Sequence, residues 1–199
     1  MKKAAAILLA ISVLFLVGCN DSDGDVKKPK ETAVSVTTGD CFEINKLKGE
    51  DGNEKFSYTV KTHDGTVIES AVCANEPKVK PLNDDLLGVR FYTATDSFVR
   101  YYDIKGGRVS ASYFGAFWDN GKLLAYNDFE ASGKLIVRDI FDDNGYRYEK
   151  EITSDAMELI VTSAEPTDDG ETLVVKFKLG DHGAEKNVRL PLIEKSSDN

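Results

Sequence analysis

Three features of the sequence predict an all-β fold. Short β-rich runs alternate with turn residues, the turns end in glycine, and the pattern repeats with a fixed period. Residues 56–62, 98–104 and 173–179 are rich in β-branched and aromatic side chains and are bounded by Gly, Asp and Asn, the composition of strands set between turns. His63-Asp64-Gly65, Lys105-Gly106-Gly107, Asp143-Asn144-Gly145 and Asp181-His182-Gly183 each place glycine where a hairpin needs positive φ. Past residue 32 the sequence shows no amphipathic helix of ten residues.

The repeat sets the architecture. Phe98-Val99-Arg100 with Gly107 matches Ile136-Val137-Arg138 with Gly145 at a shift of 38, and Val174-Val175-Lys176 with Gly183 at a further 38. A weaker copy, Phe56 with Gly65, lies 42 residues before the first. Each copy reads as strand, glycine turn, strand, usually preceded by another strand (88–94, 122–127, 159–163). A period of this size marks a supersecondary unit that buries its face against its neighbours. The expected fold is an antiparallel meander of about four such modules, arranged as a β-sandwich or barrel. A small propeller-like ring is the alternative, since blades run near ~40 residues.

Taken in order, the chain opens with Lys2 and Lys3, an apolar run over residues 4–17 broken only by Ser12, then Gly18 and Cys19. A basic n-region ahead of an apolar h-region reads as a secretory signal, and the run is too short for a comfortable membrane span of ~20 residues. Its end, Leu16-Val17-Gly18-Cys19, resembles the lipobox of bacterial lipoproteins. That resemblance covers the first tenth of the chain and implies cleavage before Cys19, a lipid thioether on Cys19 and acylation of the new amino terminus. Several acyl chains hold a protein stably on a membrane where one does not. In that family the residue after the cysteine directs sorting, and Asn20 in place of Asp implies an outer-membrane address, periplasmic or surface-facing.

Residues 19–32 carry Asp21-Ser22-Asp23-Gly24-Asp25 and Lys27-Lys28-Pro29-Lys30-Glu31 with no aromatic residue, the composition of a flexible tether. The globular domain is expected over 33–195, with 196–199 as a disordered tail. Removing the signal takes away Lys2 and Lys3, so the formal net charge moves from −9 to −11. This acidity argues against nucleic acid, which is bound by Lys and Arg neutralising phosphates.

If Cys19 carries lipid, Cys41 and Cys73 remain as an even pair in an exported chain, and a disulfide is expected. A simple meander would put the two at opposite ends of the first module, beyond the ~7 Å that a bridge spans. The meander and the bridge are therefore competing expectations.

The repeat sets Arg100, Arg138 and Lys176 at equivalent positions. In a ring they would converge on an anion; in a sheet ladder they would pair with acids such as Asp103, Asp139 and Glu151. Fourteen of the nineteen aromatic residues fall between Phe91 and Tyr148. Most are expected in the core. Tyr113-Phe114-Gly115-Ala116-Phe117-Trp118 is less easily buried whole, since alternation puts half of it outside, so Tyr113 and Trp118, together with Tyr101, are candidate contacts for a glycan, a peptide or an envelope protein.

Asp142-Asp143-Asn144-Gly145 with Glu151 resembles part of an EF-hand loop, but Ile140 stands at its first ligand position. A hairpin turn is expected there, and no metal or cofactor. His63 and His182 lie in turn segments with no nucleophile at a recognisable spacing. The sequence therefore points to a non-catalytic binding module. A structural or assembly accessory of the envelope is the second reading, and a hydrolase the third.

Overall fold

The computed structural model describes residues 32–49, 52–128, 133–152 and 158–193. The signal segment, Cys19, nearly all of the tether and the tail lie outside the described residues. Every described element is a strand, and within each sheet consecutive strands are paired, except that β9 pairs with β7.

Four antiparallel sheets follow one another along the chain. The first contains β1 (Thr32–Gly39), β2 (Phe42–Lys48), β3 (Glu54–Lys61) and β4 (Val67–Cys73) in that order. The second contains β5 (Lys78–Asn83), β6 (Leu86–Tyr92), β7 (Ser97–Asp103) and β8 (Arg108–Val109), with β9 (Tyr113–Phe114) also paired to β7. The third contains β10 (Ala116–Asp119), β11 (Leu123–Asp128), β12 (Lys134–Asp139) and β13 (Arg147–Glu151). The fourth contains β14 (Leu159–Pro166), β15 (Thr172–Leu179) and β16 (Lys186–Pro191). The expected strands and the modular meander are present, with boundaries within two or three residues.

Three cores lie between consecutive sheets. Ile44, Tyr58 and Val60 of the first sheet meet Leu87, Val89, Phe91 and Tyr102 of the second. From the other face of the second sheet, Leu86, Val99, Tyr101 and Tyr113 meet Ala116, Leu124 and Ile140. Leu123, Leu135 and Val137 of the third sheet meet Leu159, Leu173, Val175, Phe177 and Leu190 of the fourth. This is sheet-on-sheet layering, the arrangement of a sandwich, and no core cluster of described residues joins the first sheet to the fourth. No sheet closes into a barrel among the described residues.

The layering explains the runs of continuous apolar sequence. The second and third sheets are covered on both faces, so β6 is buried at both parities, Leu86 toward one neighbour and Leu87, Val89 and Phe91 toward the other. Each such Leu, Val or Ile removed from water contributes roughly 1.5–3 kcal/mol. The outer sheets have one covered face and show the alternation of half-buried strands, as in β15.

Two expectations are corrected here. Cys41 and Cys73 are free thiols. Cys73 pairs in register with Phe56, whereas Cys41 accepts at its backbone oxygen from Lys61 N, at the far end of β3. Five residues of strand separate them, about 17 Å at the usual rise. The meander holds, and it rules out the bridge in this structure.

The second correction concerns the glycine turns. Gly65, Gly107 and Gly145 have positive φ, but in the last hairpin the positive φ belongs to Gly180 rather than Gly183. Gly183 serves a different need: a Cβ there would collide with the backbone oxygen of Leu179.

Candidate functional site

The six binding candidates separate into four environments. Lys176 lies exposed on the outer face of the fourth sheet. Val137 and Val175 both enter the core between the third and fourth sheets, while Val99 faces the third sheet. The equivalent cations therefore point three different ways and do not converge. The cause is simple: a terminal sheet has one neighbour, so it turns its apolar face inward and its Lys176 face to water.

Arg100 is tied up between the first and second sheets. Its Nη1 donates to Glu69 Oε1 at 2.6 Å and its Nε to Ser112 Oγ at 2.8 Å. Tyr102 Oη donates to the other oxygen of Glu69 at 2.6 Å. A guanidinium with these partners is a lock between sheets, not an anion receptor. The ladder acids expected as partners (Asp103, Asp139, Glu151) are not the ones it takes.

Tyr101 and Trp118 meet in one cleft. It occupies about 250 Å³ between β5–β7 and β10, lined also by Lys80, Arg90 and Asp119. Tyr101 itself is 1% exposed, its phenol donating to Asp119 Oδ2 at 3.3 Å. Lys80 Nζ stands 3.5 Å from Asp119 Oδ1 but outside hydrogen-bond geometry, so that buried oxygen has no hydrogen-bond partner. Arg90 donates to Ser97 Oγ at 3.2 Å and to Ala116 O at 3.0 Å, stitching the two sheets together.

Tyr113 and Arg138 meet in the larger cleft, about 450 Å³, formed where β9 of the second sheet faces β11 and β12 of the third. Phe114, Tyr126, Asn127, Ser112, Asp96 and Asp128 complete its wall. β9 and β11 are short neighbours on facing sheets, and this alone brings the Tyr113 and Tyr126 rings to 5.6 Å. Arg138 lies over the Tyr113 ring at 5.8 Å and forms an ion pair with Asp142. Tyr113 is held from behind, its phenol donating to Ile140 O at 2.7 Å.

Phe114 gives the cleft an open rim. It is 45% exposed and ends a chain of aromatic contacts, Tyr58–Phe91–Phe98–Phe114, at centroid distances of 4.9, 5.0 and 5.2 Å. The rim ring is thus braced from the core outward.

Two polar atoms of the residues around it are buried with no hydrogen-bond partner, Arg138 Nε and Asn127 Oδ1. Asn127 spends its amide on Leu159 O at 3.4 Å. Buried polar groups are nearly always satisfied, and an exception asks for an explanation. The two do not share a cleft: Asn127 has the parity of Leu123 and Ala125 and turns toward the fourth sheet, whereas Arg138 turns toward the second.

A third cleft, about 370 Å³ between Asn120, Asp139, Tyr146 and Leu192, spends its polar groups on the chain itself. Asn120 Oδ1 caps Lys122 N and Leu123 N, Asp139 Oδ2 accepts from Asn144 N and Tyr146 N, and Tyr146 donates to Pro191 O. The segment Asp142-Asp143-Asn144-Gly145 forms the expected turn between β12 and β13. There Arg108 grips both oxygens of Asp143 at 2.8 and 3.1 Å, which holds its carboxyl below the usual range.

Asp96, Ser112, Asn127 and Asp128 of the larger cleft escaped the sequence reading. They carry no motif, and they meet only because the second sheet is laid on the third. The grouping of Cys41, His63 and Asp85 was missed for a related reason: three separate hairpin turns bring them together, with Cys41 Sγ 3.5 Å from His63 Nδ1 and His63 Nε2 3.1 Å from Asp85 Oδ1. Comparison with family models, curated proteins and solved structures finds no match for this chain, so the geometry of these sites carries the functional reading.

Proposed function

We propose that this is a lipid-anchored cell-envelope protein that works by binding, and that the cleft of Tyr113, Phe114, Tyr126 and Arg138 recognises a sugar unit of an envelope glycan. The observation that carries the reading is a braced, half-exposed aromatic rim, Phe114, in one wall with the Arg138 guanidinium and the carboxylates of Asp96 and Asp128. A sugar uses the ring and the carboxylates. Its C–H face packs on aromatic rings, and its hydroxyls donate to carboxylates such as Asp96 and Asp128 at the wall. The volume falls within the range of small-molecule sites.

The anchor belongs to the same proposal. The lipobox-like Leu16-Val17-Gly18-Cys19 supports lipid on Cys19, and Asn20 supports an outer-membrane address. The tether after it would let the sheets stand off the bilayer, where a cleft facing a glycan is of use.

The test is binding of the full chain, held in mild detergent, to a panel of immobilised oligosaccharides, followed by calorimetry with any sugar that binds. Phe114→Ala is expected to weaken binding about tenfold, the worth of one aromatic contact, with its melting temperature unchanged. Lys176→Ala is expected to bind as wild type does. Binding to no sugar, or binding indifferent to Phe114, would remove the proposal.

A further inference from the structure

The turn end of the first two sheets gathers three groups that the recognition cleft does not use. Cys41 sits in the β1–β2 turn, His63 in the β3–β4 turn and Asp85 in the β5–β6 turn. Cys41 Sγ lies 3.5 Å from His63 Nδ1, and the opposite ring nitrogen, Nε2, lies 3.1 Å from Asp85 Oδ1. If Nε2 carries the proton and donates to Asp85, Nδ1 is left as an acceptor facing the thiol. That is the order of parts that activates a nucleophile: thiol, base, and a carboxylate that orients the base.

Cys73 provides the contrast within the same chain. Its thiol donates to the backbone oxygens of Asn75 at 3.1 Å and Phe56 at 3.5 Å. Those oxygens cannot take a proton. Among the described residues no imidazole lies within hydrogen-bond reach of it.

We propose that Cys41 is a thiol–disulfide exchange site that takes low-molecular-weight disulfides, with His63 as its base and Asp85 as the group that positions His63. The thiol proton passes to His63 Nδ1 as Sγ attacks one sulfur of the disulfide. A bond forms between Sγ and that sulfur, and the original S–S bond breaks. The departing thiolate takes the proton from the imidazolium. Cys41 is oxidised to a mixed disulfide, and the reagent is reduced to one thiol.

The base matters because the thiol does not ionise readily on its own. Partial burial and the neighbouring Asp40 carboxylate push Cys41 up from the ordinary thiol value, so at neutral pH the proton has to leave during the reaction. Access is open, since the His63 and Asp85 side chains are 52% and 50% exposed. The proposal is independent of the glycan reading and of the anchor. It also gives a use to a cysteine that the meander keeps away from Cys73.

The test treats the full chain, purified with Cys41 and Cys73 reduced, with oxidised glutathione at pH 7 and follows each of the two by intact mass and peptide mapping. Cys41 is expected to form the mixed disulfide roughly tenfold faster than Cys73. His63→Ala is expected to bring Cys41 down to about the rate of Cys73, and added imidazole to restore most of the loss, which a purely structural role would not allow. Asp85→Ala is expected to slow Cys41, while Asp85→Asn, which keeps the acceptor oxygen, retains the rate. The Cys73 rate reports on the fold of each variant. Equal rates at the two cysteines in the wild type, or a His63→Ala chain in which Cys73 stays slow and Cys41 keeps its speed, overturns the proposal. Should His63→Ala expose Cys73, the Asp85 pair decides, and a slow Asp85→Asn with a fast Asp85→Ala counts against it.

Discussion

Glu69 holds two partners at once, the Arg100 guanidinium and the Tyr102 phenol, each at 2.6 Å. Tyr58 belongs to the same network, and burial, with Glu69 adding to it, pushes its phenol up to about 12. Burial raises Tyr102 as well, helped by its bond to Glu69. Burial raises Tyr101, helped by Asp119. These shifts make a stability prediction with a definite sign. In the unfolded chain a phenol ionises near ~10, while in the folded chain these three stay protonated beyond that. Their contribution is therefore complete below pH ~10 and is lost as pH rises above it toward 12. Urea denaturation is expected to show a stable plateau from pH 8 to about 10 and a steep fall above it. A midpoint that stays level to pH 12, or three phenols that ionise near ~10 with the fold intact, would count against this account of the network.

At the scale of strands and sheets, burial parity decides what each position is worth. Leu135 in β12 is 0% exposed and lies in the core between the third and fourth sheets; Lys176 in β15 points away from that same core. Leu135→Ala is expected to cost about 3 kcal/mol from lost burial and a residual cavity, and Lys176→Ala less than about 0.5 kcal/mol. Chemical denaturation of both variants checks this, and similar losses for the two would contradict the assigned faces. The contrast also shows what the sequence could express. Strands, glycine turns and modular period were legible because each rests on local preferences: β-branched runs, and φ signs at Gly65, Gly107 and Gly145. The faces were not. Arg100, Arg138 and Lys176 are equivalent in the repeat, yet one locks two sheets, one lines a cleft and one meets water, because that outcome depends on how many neighbours each sheet has.

The whole molecule repeats one operation, laying each meander on the previous one, and its sites are by-products of that stacking. The aromatic cleft opens where β9 stands over β11 and β12, and the thiol cluster forms where three turns share one end of two sheets. This is why Tyr113 and Arg138 were readable as candidates while Asp96, Asn127 and Asp128 were not: no spacing along the chain encodes a wall built from two sheets. The disulfide expectation failed for the same kind of reason. Cysteine parity says how many thiols there are, and β3 decides that Cys41 and Cys73 sit at opposite ends of it. The central claim, a membrane-anchored cleft that holds a sugar, is tested most directly in intact cells with a photoreactive phenylalanine analogue in place of Phe114. The account predicts a glycan-bearing adduct that fractionates with membranes, that leaves the membrane fraction in a Cys19→Ala background, and that does not form when the probe replaces Lys176. No adduct at position 114, or the same adduct from both positions, would contradict it.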